Sequence, residues 1–264
     1  MLMSKQQFYY LKRMSEGEYA FVRSKNFSCD GQLSDSQIRD CFNFAYDMSF
    51  GKGEHRAHRS GGSRERTPRD IFMNTFQGKI SECAIYNFLT KENIEASQVD
   101  FRVEGLGKWD SYDMECYGRH IAVKSTKSYG QLLLLEKQDW DKEGRYIPNI
   151  EAGNASYDSF VLVRIKPSIE DKVKEEKLFW QFDREKMLSY LSKYSWEYNI
   201  AGFITNDDLK YIIEKEYMIK KGQRIGKCKA PYVGTMMDAD NYYVQVSNMR
   251  SKNDFINRLK GYAK

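Results

Sequence analysis

Carboxylates and lysines gather between Asp113 and Lys127, where Asp113, Glu115 and Lys124 follow one another, with Glu82 upstream and Glu136 downstream. A hard divalent cation such as Mg²⁺ takes oxygen ligands from one or two carboxylates together with carbonyls, waters or phosphate. Such an ion lowers the pKa of an attacking water and neutralises charge on a phosphate. A neighbouring ammonium adds a point charge for the developing oxyanion. The catalytic candidates on this stretch are therefore Asp113, Glu115 and Lys124. The chemistry they suit is metal-assisted hydrolysis of a phosphodiester.

These residues need a hairpin to bring them together. Period-2 alternation puts Met114, Cys116, Ile121 and Val123 on one side and Asp113, Glu115, Tyr117, Ala122 and Lys124 on the other. A turn centred on Gly118-Arg119 pairs Asp113 with Lys124 and Glu115 with Ala122. A slip of one residue would send the polar set into the core.

The surrounding chain supplies a scaffold. Residues 4–22 fit a short helix carrying Phe8, Leu11 and Met14, and Ser34 caps an amphipathic helix bearing Ile38, Cys41, Phe42, Ala45 and Tyr46. Thr67, Pro68 and Asp70 give a helix start, and the helix runs to about Thr90 with Glu82 on the flank of its apolar stripe. Strands are expected at 99–103, at Leu132–Leu135 buried on both faces, and at 160–165, 178–182, 200–204 and 242–246. Helices are expected at 183–194, from an Asn206 cap to Tyr217, and at 252–262. The class is α/β bordering on α+β, a mixed sheet flanked by helices.

Two basic segments flank this core. Residues 51–69 are rich in glycine, serine and arginine, with Arg56, Arg59, Arg64 and Arg66 suited to phosphate contacts. Lys220, Lys221, Arg224 and Lys227 form a second cationic stretch, with glycines and no carboxylate, which reads as an exposed flexible loop. Cys29, Cys41, His55 and His58 could be counted as zinc ligands, but the cysteines are too far apart for a chelating pair and Cys41 fits the apolar helix face.

With 264 residues and a net charge of +5, the chain suits one domain with a weak leaning toward polyanions. The catalytic core would span about 67–205, with 1–66 and 206–264 as DNA-binding elaborations. Five cysteines without repeated CxxC spacing argue against a disulfide framework and for a reducing compartment. No apolar leader or membrane-length run is present, which points to the cytoplasm.

Asp113, the run Ile121-Ala-Val-Lys124-Ser-Thr126 and Glu82 on the preceding helix resemble the PD-(D/E)XK nuclease superfamily, over about residues 67–140. The resemblance implies a restriction-endonuclease-like fold, Mg²⁺ held by Asp113, Glu115 and the Val123 carbonyl, Glu82 and Glu136 as further catalytic candidates, double-stranded DNA as substrate and a two-fold dimer if a palindrome is cut, with a type II restriction enzyme as the leading activity. A non-catalytic DNA-binding protein on that scaffold and a repair, transposition or junction nuclease are the alternatives. In that family an acid stands where this chain has Ala122. Glu115 could fill its space from across the strand, Glu136 could serve from downstream, or the position was substituted so that cleavage is absent.

Overall fold

The computed structural model describes residues 7–51, 66–102, 112–151, 153–176, 183–229 and 231–263. Arg56, Arg59, Arg64, His55 and His58, and the strand expected at 178–182, lie outside them.

Two helices form where local signals are strongest. Ser34 caps α1 (Asp35–Phe50) in a reciprocal box with Gln37, and Thr67 caps α2 (Pro68–Lys91) in the same way with Asp70. Their apolar stripes pack together, with Phe42 edge-on to Phe72 and the thiols of Cys41 and Cys83 3.6 Å apart.

Behind the helices runs a five-stranded mixed sheet. Its strands are β3 (Gly31–Gln32), β4 (Met114–Cys116), β5 (Arg119–Lys127), β7 (Ser159–Lys166) and β8 (Glu197–Thr205), in the order β3-β8-β7-β5-β4. β5 and β7 are parallel and the other pairings antiparallel. One face, with Ile121, Val161 and Val163, packs on α1, α2, α3 (Ile169–Glu176), α4 (Arg184–Leu191) and α6 (Lys252–Tyr262). The other, with Ala122, Phe160 and Leu162, packs on α5 (Asn206–Glu214) and on a three-stranded sheet of β6 (Leu132–Glu136), β12 (Asn241–Gln245) and β9 (Met218–Ile219). A third sheet joins β1 (Lys12–Ser15) and β2 (Glu18–Phe21) to β10 (Arg224–Lys227) and β11 (Gly234–Met236). The fold is mixed α/β.

Several sequence expectations change. Residues 12–21 form a hairpin, not a helix, because Gly17 turns the chain at φ +72° and β2 pairs with β10. Leu132–Leu135 is not buried on both faces: Leu133 and Leu135 face the core while Leu134 is exposed, since β6 lies outside the central sheet. Val99–Arg102 takes no strand conformation. Thr205, not Asn206, caps α5, in a box with Asp208. The second basic segment is not a loop throughout, since Arg224–Lys227 is paired on both sides.

Arg164 ties the N-terminal segment to the sheet. Fully buried on β7, it donates to the carbonyls of Lys25 and Asn26, each at 2.7 Å, and to the Asn199 side chain. Replacing Arg164 with Met leaves the Lys25 carbonyl its bond from Gln131 but takes the donor from the Asn26 carbonyl and Asn199 Oδ1, and should cost on the order of 3 kcal/mol, read as a lower urea midpoint at unchanged slope.

Candidate functional site

The β4–β5 hairpin turns at Tyr117 and Gly118, both with positive φ (51° and 69°), a type I′ geometry whose twist matches the strands it joins. Cys116 therefore pairs with Arg119, Glu115 with His120 and Met114 with Ile121. This corrects the expected register by two residues. Glu115 stands across from His120, not Ala122, and Asp113 falls in line with Ala122, not Lys124. The shift is even, so the faces survive: Met114, Cys116 and Ile121 enter the core beneath α2, and Asp113, Glu115, Ala122 and Lys124 share the other face.

Asp113 ends the ladder. The next pair toward the strand end would join Tyr112 to Val123, but the Asp113 carboxylate accepts the Val123 N–H instead, at 2.7 Å. In extended backbone the carbonyl of a residue points the same way as its N–H, so the Val123 carbonyl is aimed toward Asp113 as well. The Asp113 charge also lies near the Tyr157 phenol, whose pKa is raised first by burial and then by that carboxylate.

Glu115 has its own supports. Its backbone N–H donates to Ser97 Oγ at 2.9 Å and its carbonyl accepts from the Ser97 N–H at 2.8 Å, which covers the outer edge of β4. The Glu115 carboxylate is the main influence on the nearby Tyr112 phenol and raises its pKa. The Tyr112 ring lies flat on the His120 imidazole, 3.9 Å between centroids and 11° between planes. His120 is in turn held by Asp158, whose carboxylate accepts its N–H at 2.9 Å and whose N–H donates to its carbonyl at 2.8 Å. Tyr112, His120 and Asp158 were not singled out from the sequence. Cross-strand pairing in the correct register would have exposed His120, whereas nothing local marks Tyr112 as its stacking partner.

Lys124 stands half-buried on the same face, diagonal to Asp113 and with no carboxylate within salt-bridge distance among the described residues. Ala122 between them is fully buried, in the apolar layer of Leu133, Leu135, Trp140, Tyr157 and Phe160. Two other candidates are not brought together with these. Glu82 is paired with Lys79 at 2.7 Å on α2, which covers the opposite face of the sheet. The α2 side chain that reaches β5 is Gln77, which donates to Ser125 Oγ at 3.1 Å. Glu136 ends β6 in the second sheet with the parity of exposed Leu134, opposite to Leu133 and Leu135, which face the Ala122 layer.

Among the described residues, no group of three or more His, Cys, Asp or Glu side chains is arranged to hold a metal ion. The proposed zinc set fails independently, since Cys41 lies in the core against Cys83. The donor chemistry of Asp113, Glu115 and the Val123 carbonyl does fit Mg²⁺, which keeps several waters and needs only one or two carboxylates beside substrate phosphate. Of the basic candidates, Lys220, Lys221, Arg224 and Lys227 are exposed, and Arg66 precedes the α2 cap, partly buried. No helix among the described residues is long and apolar enough to cross a membrane. Comparison with protein-family models, curated proteins and solved structures gives no match for this chain.

Proposed function

We propose that the chain is a Mg²⁺-dependent endonuclease of double-stranded DNA, most consistent with the type II restriction class. The observation that carries this reading is the shared face of Asp113, Glu115 and Lys124 on one hairpin, with Asp113 anchored on the Val123 N–H. Asp113, Glu115 and the Val123 carbonyl would hold the ion, which when bound supplies an activated water and charge neutralisation at the phosphate. Lys124, free of a carboxylate partner among the described residues, offers its ammonium to the phosphoryl oxygens as charge develops on them. Ser97 holds Glu115 at its backbone, and the Tyr112 phenol lies within electrostatic reach of its carboxylate.

The full burial of Ala122 favours a second reading, a DNA-binding protein that does not cut, because no third acid can stand in that row without entering the apolar layer. Repair, transposition and junction nucleases share the same hydrolytic chemistry and differ only in the DNA they select. The test is incubation of the protein with bacterial genomic DNA, which contains every short site, in Mg²⁺ or in chelator. Discrete Mg²⁺-dependent fragments are expected, and their absence on genomic, branched and single-stranded DNA alike would overturn the hydrolytic reading. A two-fold pair of chains is expected if both strands of a palindrome are cut.

Tyr112→Phe keeps the ring on His120 and removes the hydroxyl that is coupled to the Glu115 carboxylate. Outer-shell changes of this kind weaken metal affinity by roughly 10-fold or more. The Mg²⁺ concentration for half-maximal cleavage should rise accordingly while the melting temperature stays in place.

A further inference from the structure

The sheet β1-β2-β10-β11 assembles cations from the two ends of the chain. β2 pairs in parallel with β10, so Lys12 on β1 joins Arg224 on one face of this small sheet, Arg13 and Lys227 alternate to the other, and Lys220 and Lys229 stand at its margins. All six are exposed. Lys12 lies in the cross-strand row of Ala20 and Gly226, and its Nζ is 3.7 Å from Cys228 Sγ, between Lys227 and Lys229.

Many surface cations elsewhere are paired. Lys127, Arg145, Lys166, Lys174, Arg184 and Lys252 each have a carboxylate within 4.0 Å. None of the six on the small sheet has one among the described residues, and Glu18, the acid in the row of Arg224, accepts from Ser15 Oγ at 2.6 Å. Leaving like charges together and unneutralised raises the local potential, which is what a polyanion-binding surface requires.

The support beneath these charges is rigid. Gly226 and Gly234 sit side by side, and a Cβ on either would collide with Val233 or Tyr232. Tyr232 crosses this bare row and donates to the Tyr19 carbonyl at 2.7 Å. Charges fixed on a paired sheet bind a phosphate lattice with less ordering cost than charges on a free loop.

We propose that the Lys12–Arg224 face of this sheet is a surface on which the chain holds the phosphate backbone of duplex DNA, with Lys12 as a member that no local signal joins to Arg224. The choice of DNA among polyanions rests on the hydrolytic reading of the β4–β5 hairpin. The surface itself does not depend on catalysis.

The molecule carries its own probe. Among its five cysteines Cys29 and Cys228 are exposed, and Cys41, Cys83 and Cys116 are buried. Full-length protein is alkylated with a maleimide in chelator at about 50 mM salt, with or without excess duplex, and labelling at each thiol is followed by mass spectrometry. Duplex is expected to slow labelling of Cys228 by tenfold or more and to leave Cys29 at its free rate. In parallel, a Lys12→Gln/Arg224→Gln variant should lower the slope of log affinity against log salt by about 2, close to one per lost phosphate contact. A Lys172→Gln/Lys174→Gln variant on α3 should leave it unchanged.

Duplex bound with Cys228 labelled at its free rate overturns the surface and leaves the hydrolytic reading standing. Protection of Cys228 without Mg²⁺-dependent cleavage of any DNA upholds the surface and overturns hydrolysis. Absence of binding overturns the surface, and Mg²⁺-dependent cleavage then decides the hydrolytic reading separately. Protection by phosphatidylserine vesicles and not by duplex overturns DNA as the partner.

Discussion

Asp113→Asn is expected to reduce Mg²⁺-dependent cleavage by roughly 10²- to 10³-fold, the range seen when one preorganised electrostatic group is lost. The substitution keeps an oxygen able to accept the Val123 N–H, so the end of the β4–β5 ladder stays closed. Activity and stability should therefore separate: cutting collapses, the urea midpoint does not. Asp113→Ala is expected to lose both, because the Val123 N–H is then left without its acceptor. If Asp113→Asn cut at the parent rate, Asp113 would be a strand-end cap and nothing more.

Ala122→Glu is expected to destabilise the protein by about 3–5 kcal/mol and to add no activity. The position is fully buried among Leu133, Trp140, Tyr157 and Phe160, so a longer side chain overpacks the layer and its carboxylate has no partner there. The sign of the pH effect follows from burial, which raises the folded-state pKa of the new acid above its unfolded value. Below the unfolded value both states are protonated and only the packing penalty remains. As pH rises through that value the unfolded state ionises first, and the loss of stability deepens up to the folded pKa. Urea midpoints at about pH 4 and pH 8 should show the larger deficit at the higher pH. Equal deficits would mean that the carboxylate reaches water, and increased cleavage would mean that the acid belongs in that row.

The faces of the hairpin were legible in the sequence and its register was not. Alternation encodes parity, and Met114, Cys116 and Ile121 enter the core as their spacing requires. The turn depended on a positive φ at Tyr117, a conformation that the residue type does not advertise, so the pairing moved by two and carried Glu115 away from Ala122. α1 and α2 were readable because their signals are local, a cap, a box and a 3.6-residue stripe. Residues 12–21 were misread because Phe8, Leu11 and Met14 satisfy a helical spacing, while the strand conformation is stabilised by β10, far away in sequence. Glu82 illustrates the same limit, since its helix is correctly placed but the face of the sheet it covers is a tertiary fact.

The parallel pairing of β2 with β10 also bears on the order in which the molecule can be built. Glu18 and Arg224 are partners although roughly two hundred residues separate them, and closing so large a loop is slow. During synthesis the α1–α2 pair and the β4–β5 hairpin can form while the N-terminal strands still wait for an edge to join. Until β10 emerges, β1 and β2 remain a lone hairpin, which is marginal in water. A ribosome-bound chain stopped near residue 205 would thus own its hairpin chemistry and lack its cationic sheet. Pulse proteolysis of such stalled chains should release residues 7–23 first.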